Sequence, residues 1–160
     1  MTNSMLDAFM GDFEEIDQLL YDGGYDYCNI VVYVTIYVRD NDILSMFIKN
    51  IEYYIQPSDA TLKFEASFPV RCGNMEVEDM KIKLRRLRQL EKAELIEVKA
   101  VKATISLEQP KQKITNIIEG KGYSKHVEGI IVKFTKTYGK YNKYLKLAEE
   151  RFKDVLEDLQ

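Results

Sequence analysis

Four cations recur at helical spacing in the middle of the chain, and their arrangement suits a row of phosphates. They follow one another by 4, 3 and 4 residues and are Lys81, Arg85, Arg88 and Lys92. This spacing places them along one side of an α-helix, over about 16 Å. Arg86 lies beside them, and arginine binds phosphates and guanine edges in a fork geometry. The pattern predicts a nucleic-acid-binding helix. The alternative is a solvated face whose cations pair with acidic residues elsewhere in the chain.

Basic and aromatic residues alternate further along the chain, as on surfaces that follow a nucleic-acid backbone. Aromatic rings stack on bases there, while lysines contact phosphates. The further candidate contacts are Lys111, Lys113, Lys121, Lys125, Lys133, Lys136, Tyr138, Lys140, Lys143 and Tyr144. The stretch from Glu108 to Lys125 also contains Pro110, Gly120 and Gly122, which predicts a long basic hairpin loop.

Catalytic signals are weaker than these binding signals. Glu97 and Lys99 form a Glu-x-Lys pair on a predicted strand, as in nucleases whose carboxylate binds Mg²⁺ while the lysine orients water. The second carboxylate expected on an upstream strand is missing, because that window is a predicted helix. His126 has no positioned partner, and Cys28 and Cys72 have no further cysteine near them. The sequence therefore predicts buried free thiols, no metal site and no cofactor.

Charge is divided unequally between the two halves of the chain. Residues 1–80 contain 4 Lys and Arg against 15 Asp and Glu, and residues 81–160 contain 19 against 11. The net charges are −11 and +8, which together give the −3 of the whole chain. Either the halves neutralise each other within one fold, or the basic half faces an anionic partner, most commonly nucleic acid.

The hydrophobic pattern predicts one α+β domain over residues 1–160, with an acidic and a basic half. Helices are predicted at 5–20, 40–55, 75–93 and 138–159, and strands at 30–38, 62–70, 95–107 and 130–134. The apolar strand at 30–38 is expected at the centre of the sheet, covered on both faces. A break of alternation between Ala100 and Val101 predicts a β-bulge. We expect a four-stranded mixed sheet with flanking helices, the last of them long and C-terminal.

The segment from Ile82 to Val98 resembles the recognition helix and following strand of archaeal and bacterial winged helix-turn-helix regulators. It reads IKLRRLRQLEKAELIEV, a basic helix that ends in a Leu-Ile step. The resemblance implies a winged-helix-like half in which Lys81, Arg85 and Arg88 face the major groove and residues 111–125 form an enlarged wing. Just upstream the sequence departs from the family, because the alternating strand at 62–70 stands where a short second helix is expected.

The last predicted helix has an apolar seam that favours a homodimer. Its seam residues step by 4, 3, 4, 3 and 4 and are Tyr141, Leu145, Ala148, Phe152, Val155 and Leu159. The helix is basic up to Lys146 and acidic after it, so two antiparallel copies bring opposite charges together. The alternative is packing against the protein's own sheet.

These patterns lead to one preferred hypothesis and two alternatives. We expect a cytoplasmic, DNA-binding transcription regulator, archaeal or viral by composition, that presents a basic helix and a basic hairpin to double-stranded DNA. No contact with membranes is expected, because the longest apolar run, at 30–38, is far shorter than the roughly 20 residues needed to span a bilayer. The alternatives are a Mg²⁺-dependent DNA nuclease and a structural or interaction protein whose charge halves complement each other. An enzyme is the less favoured class.

Overall fold

The structure is a computed structural model that describes residues 4–22, 27–39, 51–56, 59–70, 74–108 and 112–139. The helices in these ranges are α1 (Met5–Asp22), α2 (Asn74–Lys92) and α3 (Gln112–Gly120). The strands are β1 (Tyr27–Val38), β2 (Ile51–Gln56), β3 (Asp59–Pro69), β4 (Ile96–Glu108), β5 (Ser124–Glu128) and β6 (Ile131–Tyr138). None of the helices in these ranges combines the length and apolar character needed to cross a bilayer.

Six strands form one sheet in the order β2-β3-β1-β4-β6-β5, and every neighbouring pair is antiparallel. The predicted four-stranded mixed sheet is therefore wrong. Residues 51–56 are strand β2 rather than the end of a helix, because they pair with β3 and their Tyr and Ile residues favour extended structure. The predicted helix otherwise lies at 40–50, outside the described residues. The other additional strand, β5, has five residues, too few for alternation to mark it clearly.

The central position of β1 is confirmed, since it pairs with β3 on one side and β4 on the other. Its two faces differ between residues 27 and 34. The side chains at 28, 30, 32 and 34 are buried, whereas those at 27, 29, 31 and 33 are half-buried or exposed. The expected burial of both faces is therefore wrong for this part of the strand.

The predicted bulge in β4 is confirmed. The register between β1 and β4 shifts between Thr35, which pairs with Ala100, and Ile36, which pairs with Val98. Lys99 is thus the additional residue on β4. Ala100 and Val101 are both fully buried, as expected where an extra residue reverses the alternation of a strand.

Helices α1 and α2 pack side by side on one face of the sheet. They run antiparallel, because Ser4 at the start of α1 bonds Glu91 near the end of α2, while Asp17 meets Lys81. Their buried side chains are Leu6, Phe9, Phe13 and Ile16 from α1, and Val77, Met80, Leu84 and Leu87 from α2. Met80, Leu84, Leu87 and Leu90 follow one another by 4, 3 and 3 residues, which is the spacing of one helix face, and Leu90 at its end is partly buried. The core draws on residues from both charge halves.

The segment between β4 and β6 is not the predicted hairpin loop. Residues 112–120 form α3, whose Thr115 and Ile118 are buried. The hairpin is instead the shorter pair of β5 and β6, which turns at Gly129, a residue with φ of 64°. A winged-helix-like half is wrong for the same region, because α2 leads into β4, an interior strand between β1 and β6.

The predicted C-terminal helix begins too early. Tyr138, its expected first residue, is the last residue of β6. Gly139, the next residue, has a φ of 83° and is not helical, and residues 140–159 lie outside the described residues.

Candidate nucleic-acid interface

Two cations of the predicted stripe on α2 face α1 rather than solvent. Lys81 Nζ lies 3.4 Å from Asp17 Oδ2, and the lysine side chain is only 12% exposed. Arg88 donates from Nε to Asp7 Oδ1 at 2.9 Å and from Nη1 to Glu91 Oε1 at 3.1 Å. The hydrogen bond to Asp7 raises the pKa of Arg88. These side chains join the two helices, so neither presents a free cation to a phosphate.

Carboxylates on the opposite side of α1 bind two more of the predicted contacts. Lys136 Nζ donates to Asp12 Oδ2 at 2.9 Å and also to the carbonyl oxygen of Lys121. The Lys121 ammonium pairs with Glu15, and this contact raises the pKa of Lys121. Helix α1, from the acidic half, therefore neutralises cations of the basic half on both of its sides.

Tyr138 lies in a polar cluster beneath α1. Its hydroxyl donates to Asp12 Oδ2 at 2.9 Å, and the Tyr138 and Tyr123 oxygens are 2.8 Å apart. Lys136 Nζ lies 4.7 Å from the centroid of the Tyr138 ring. Burial raises the pKa of both tyrosines, that of Tyr123 to about 12. Because Tyr138 is only 5% exposed, its ring cannot stack on a base in this conformation.

Three exposed cations, Arg85, Arg86 and Lys92, define what we call the α2 ridge. In the described part of the chain none of the three has a carboxylate partner. Arg85 and Arg86 project about 100° apart around the helix axis, and Lys92 lies two turns beyond Arg85, about 10.5 Å along it. Gln89 is exposed between them. Arg85 and Lys92 are thus the members of the predicted stripe that remain without a described ion pair, and Arg86 lies beside them.

The β5–β6 hairpin, at one edge of the sheet, carries two more of the predicted contacts, Lys125 and Lys133. Lys125 and His126 are exposed, and Lys133 Nζ lies 3.7 Å from Glu128 Oε2. Helix α1 packs over β4 and β6, whereas α2 packs over β3 and β4. The acidic helix α1 therefore lies between the α2 ridge and the hairpin, so the two elements predicted to grip DNA together are not adjacent.

Within the described ranges, the Glu97–Lys99 pair does not belong to a cluster of side chains that could hold a metal ion. Lys99 Nζ donates to Glu97 Oε1 at 3.3 Å, so the lysine neutralises the carboxylate. Glu78 and Asp79, in the upstream window where a second carboxylate is expected, lie on exposed positions of α2. Glu91 and Glu94, which are nearer in sequence, line one pocket with Glu97, but Glu91 is bound to Arg88 and Ser4. Among the residues with described positions, no three His, Cys, Asp or Glu side chains are placed to hold a metal ion.

Cys28 is a free, buried thiol, as the sequence predicts, and burial raises its pKa to about 12. Cys72 lies outside the described residues. So do ten of the candidate contacts and seam residues: Lys111, Lys140, Lys143, Tyr144, Tyr141, Leu145, Ala148, Phe152, Val155 and Leu159. Lys113 lies in α3. The homodimer therefore stays a prediction.

The residues that decide which cations are free are carboxylates that the sequence analysis did not single out. They are Asp7, Asp12, Glu15 and Asp17. A signal for them exists, because they flank the buried stripe of α1 on its two sides when the helix is drawn at 3.6 residues per turn. The sequence does not show which cations these carboxylates pair with, because those pairs depend on how α1 packs beside α2 and over the sheet.

Comparison with protein-family models, characterised protein sequences and solved structures gave no significant match. The function of this chain must therefore be inferred from its own residues.

Proposed function

We propose that this protein binds nucleic acid through the α2 ridge. The main support for this proposal is the difference between exposed, unpaired cations and ion-paired cations on the same helix. Arg85, Arg86 and Lys92 are exposed without a described carboxylate partner, while Lys81 and Arg88 are neutralised by α1. Clustered arginines with free guanidinium groups are the side chains best suited to phosphate oxygens.

The size of the α2 ridge sets the strength of binding. Three cations contact at most about three phosphates, and each contact adds roughly 0.9 to the dependence of log affinity on log salt concentration. Binding is therefore strong only at low ionic strength. A broader interface through Lys81, Arg88, Lys121 and Lys136 would require breaking the ion pairs that these residues make with α1.

Fluorescence anisotropy with a labelled duplex and the full chain tests the proposal. The test variant is Arg85→Ala/Arg86→Ala. Its matched control is Lys125→Ala/Lys133→Ala, which removes the same charge from the hairpin on the far side of α1. We expect the arginine variant to bind about tenfold more weakly at low salt, because two phosphate contacts are lost, and the control to bind within about twofold of wild type. The opposite ranking would move the interface to the hairpin, and no binding by the wild-type chain would refute the proposal.

A second candidate is the structural or interaction protein expected as an alternative. The four ion pairs that α1 makes with Lys81, Arg88, Lys121 and Lys136 favour it, because they explain the opposite charges of the two halves without a polyanion. This candidate predicts no binding to the labelled duplex at any salt concentration, so the same titration separates the two functions.

A further inference from the structure

We propose that the α2 ridge contacts the sugar–phosphate backbone of double-stranded DNA and does not read its sequence. This inference rests on the proposed function and names the substrate class and the mode of contact. The expectation of a recognition helix in the major groove is its direct competitor.

The distribution of charge along α2 disfavours binding in which the first turns of the helix enter the major groove. Glu76, Glu78 and Asp79 are exposed at the start of the helix, whereas the unpaired cations begin at Arg85 and continue to Lys92. Recognition helices enter the major groove with their N-terminal residues against the bases. Here that end carries three exposed carboxylates: Glu78 pairs with Lys81 and Asp79 with Lys83, while Glu76 has no cation partner among the described residues. The lysines of these first turns are occupied by the carboxylates, so the C-terminal half of α2, which carries the unpaired arginines, makes the contact.

The neighbouring helix prevents α2 from entering a groove. Helix α1 lies alongside α2, joined to it by the Asp7–Arg88 and Asp17–Lys81 pairs. Its solvent side carries Asp7, with a side chain that is 53% exposed, and the exposed Glu14. A major groove about 12 Å wide accommodates one helix, and lowering α2 into it would press the carboxylates of α1 against the backbone. The arginines therefore meet phosphates from outside the groove.

The composition of α2 disfavours single strands. Proteins that hold single-stranded nucleic acid stack its bases on aromatic side chains. Helix α2 contains no Phe, Tyr or Trp, so it offers phosphate contacts without a stacking surface. The higher charge density of a duplex makes it the better ligand for such a surface.

Competition binding with the full chain tests this inference. A labelled duplex of two helical turns, about 20 base pairs, is displaced by unlabelled competitors of equal length: an A·T-only duplex, a G·C-only duplex and a mixed-sequence single strand. We expect the two duplexes to compete within about threefold of each other, because base-reading contacts change affinity by far more per base pair. The single strand should compete at least about fivefold more weakly than either duplex.

Two results would overturn the inference while leaving the proposed function intact. One is a preference of more than about tenfold for one duplex, which would show that the ridge reads bases. The other is stronger competition by the single strand. In either case Arg85→Ala/Arg86→Ala still weakens binding. Loss of the effect of this variant, or no binding at all, would instead overturn the proposed function and this inference with it.

Discussion

At the scale of single residues, four cations with one helical spacing have two different roles. Lys81 and Arg88 bind carboxylates of α1, while Arg85 and Lys92 stay exposed. Their sequence spacing gives them similar orientations, and the sequence does not say on which side of the stripe another helix packs. The candidate contacts were therefore predictable as cations on one helix, but their availability was not.

Arg85 and Arg88 form a matched pair for testing this division. We expect Arg88→Ala to lower the free energy of unfolding by about 1 kcal/mol, because it removes charge-assisted hydrogen bonds at a side chain that is 19% exposed. Arg85→Ala should change it by less than about 0.5 kcal/mol. Urea unfolding followed by circular dichroism measures both values, and equal values for the two variants would contradict the assigned contacts.

The buried tyrosines make the protein sensitive to alkaline pH. Burial raises the pKa of Tyr123 from its usual 10 to about 12. Ionised tyrosine is therefore less unfavourable in the unfolded chain than in the folded protein. The free energy of unfolding that the buried, neutral Tyr123 contributes is fully present below about pH 10, and it is lost as the pH rises through about 12.

Replacement of Tyr123 by Phe should make that alkaline loss of stability less steep. Urea midpoints measured from about pH 9 to about pH 12 for wild type and Tyr123→Phe give the slope. Tyr37→Phe serves as the control, because Tyr37 is 39% exposed. A control that flattens the slope as much as Tyr123→Phe would contradict the burial argument.

At the scale of elements, the spacing of apolar residues predicts those helices and strands that have one regular apolar face. The buried stripes of α1 and α2, the alternation of β3, the central β1 and the bulge of β4 were all predictable for this reason. The same spacing does not predict an element that is short or that lies among residues typical of turns. Helix α3 spans nine residues between Pro110 and Gly122, and β5 spans five.

The packing of helix α3 against the rest of the protein can be tested at Ile118. Ile118 is fully buried, whereas its neighbour Glu119 is exposed. We expect Ile118→Ala to lower the free energy of unfolding by about 2–4 kcal/mol, as for other buried large-to-small substitutions. Glu119→Ala should stay within about 0.5 kcal/mol. Chemical denaturation measures both, and a mild effect of Ile118→Ala would favour the loop that the sequence suggests.

At the scale of the whole molecule, four ion pairs in the described part of the chain join the acidic half to the basic half. The sequence shows the division of charge and leaves open whether it serves folding or a partner. The structure places α1 between α2 and the hairpin, so carboxylates meet cations on both sides. The number of strands and their pairing were not predictable in full, because long-range pairing depends on contacts that local patterns do not encode.

The salt dependence of DNA binding tests most directly the central claim that pairing with α1 occupies Lys81 and Arg88 and leaves the α2 ridge as the DNA-binding surface. Three phosphate contacts predict a slope of about −2.7 in a plot of log affinity against log salt concentration, and Arg85→Ala/Arg86→Ala should reduce it to about −0.9. A wild-type slope of about −6 or steeper would mean that cations outside the α2 ridge also reach DNA. Such a slope, or one unchanged in the variant, would contradict the account.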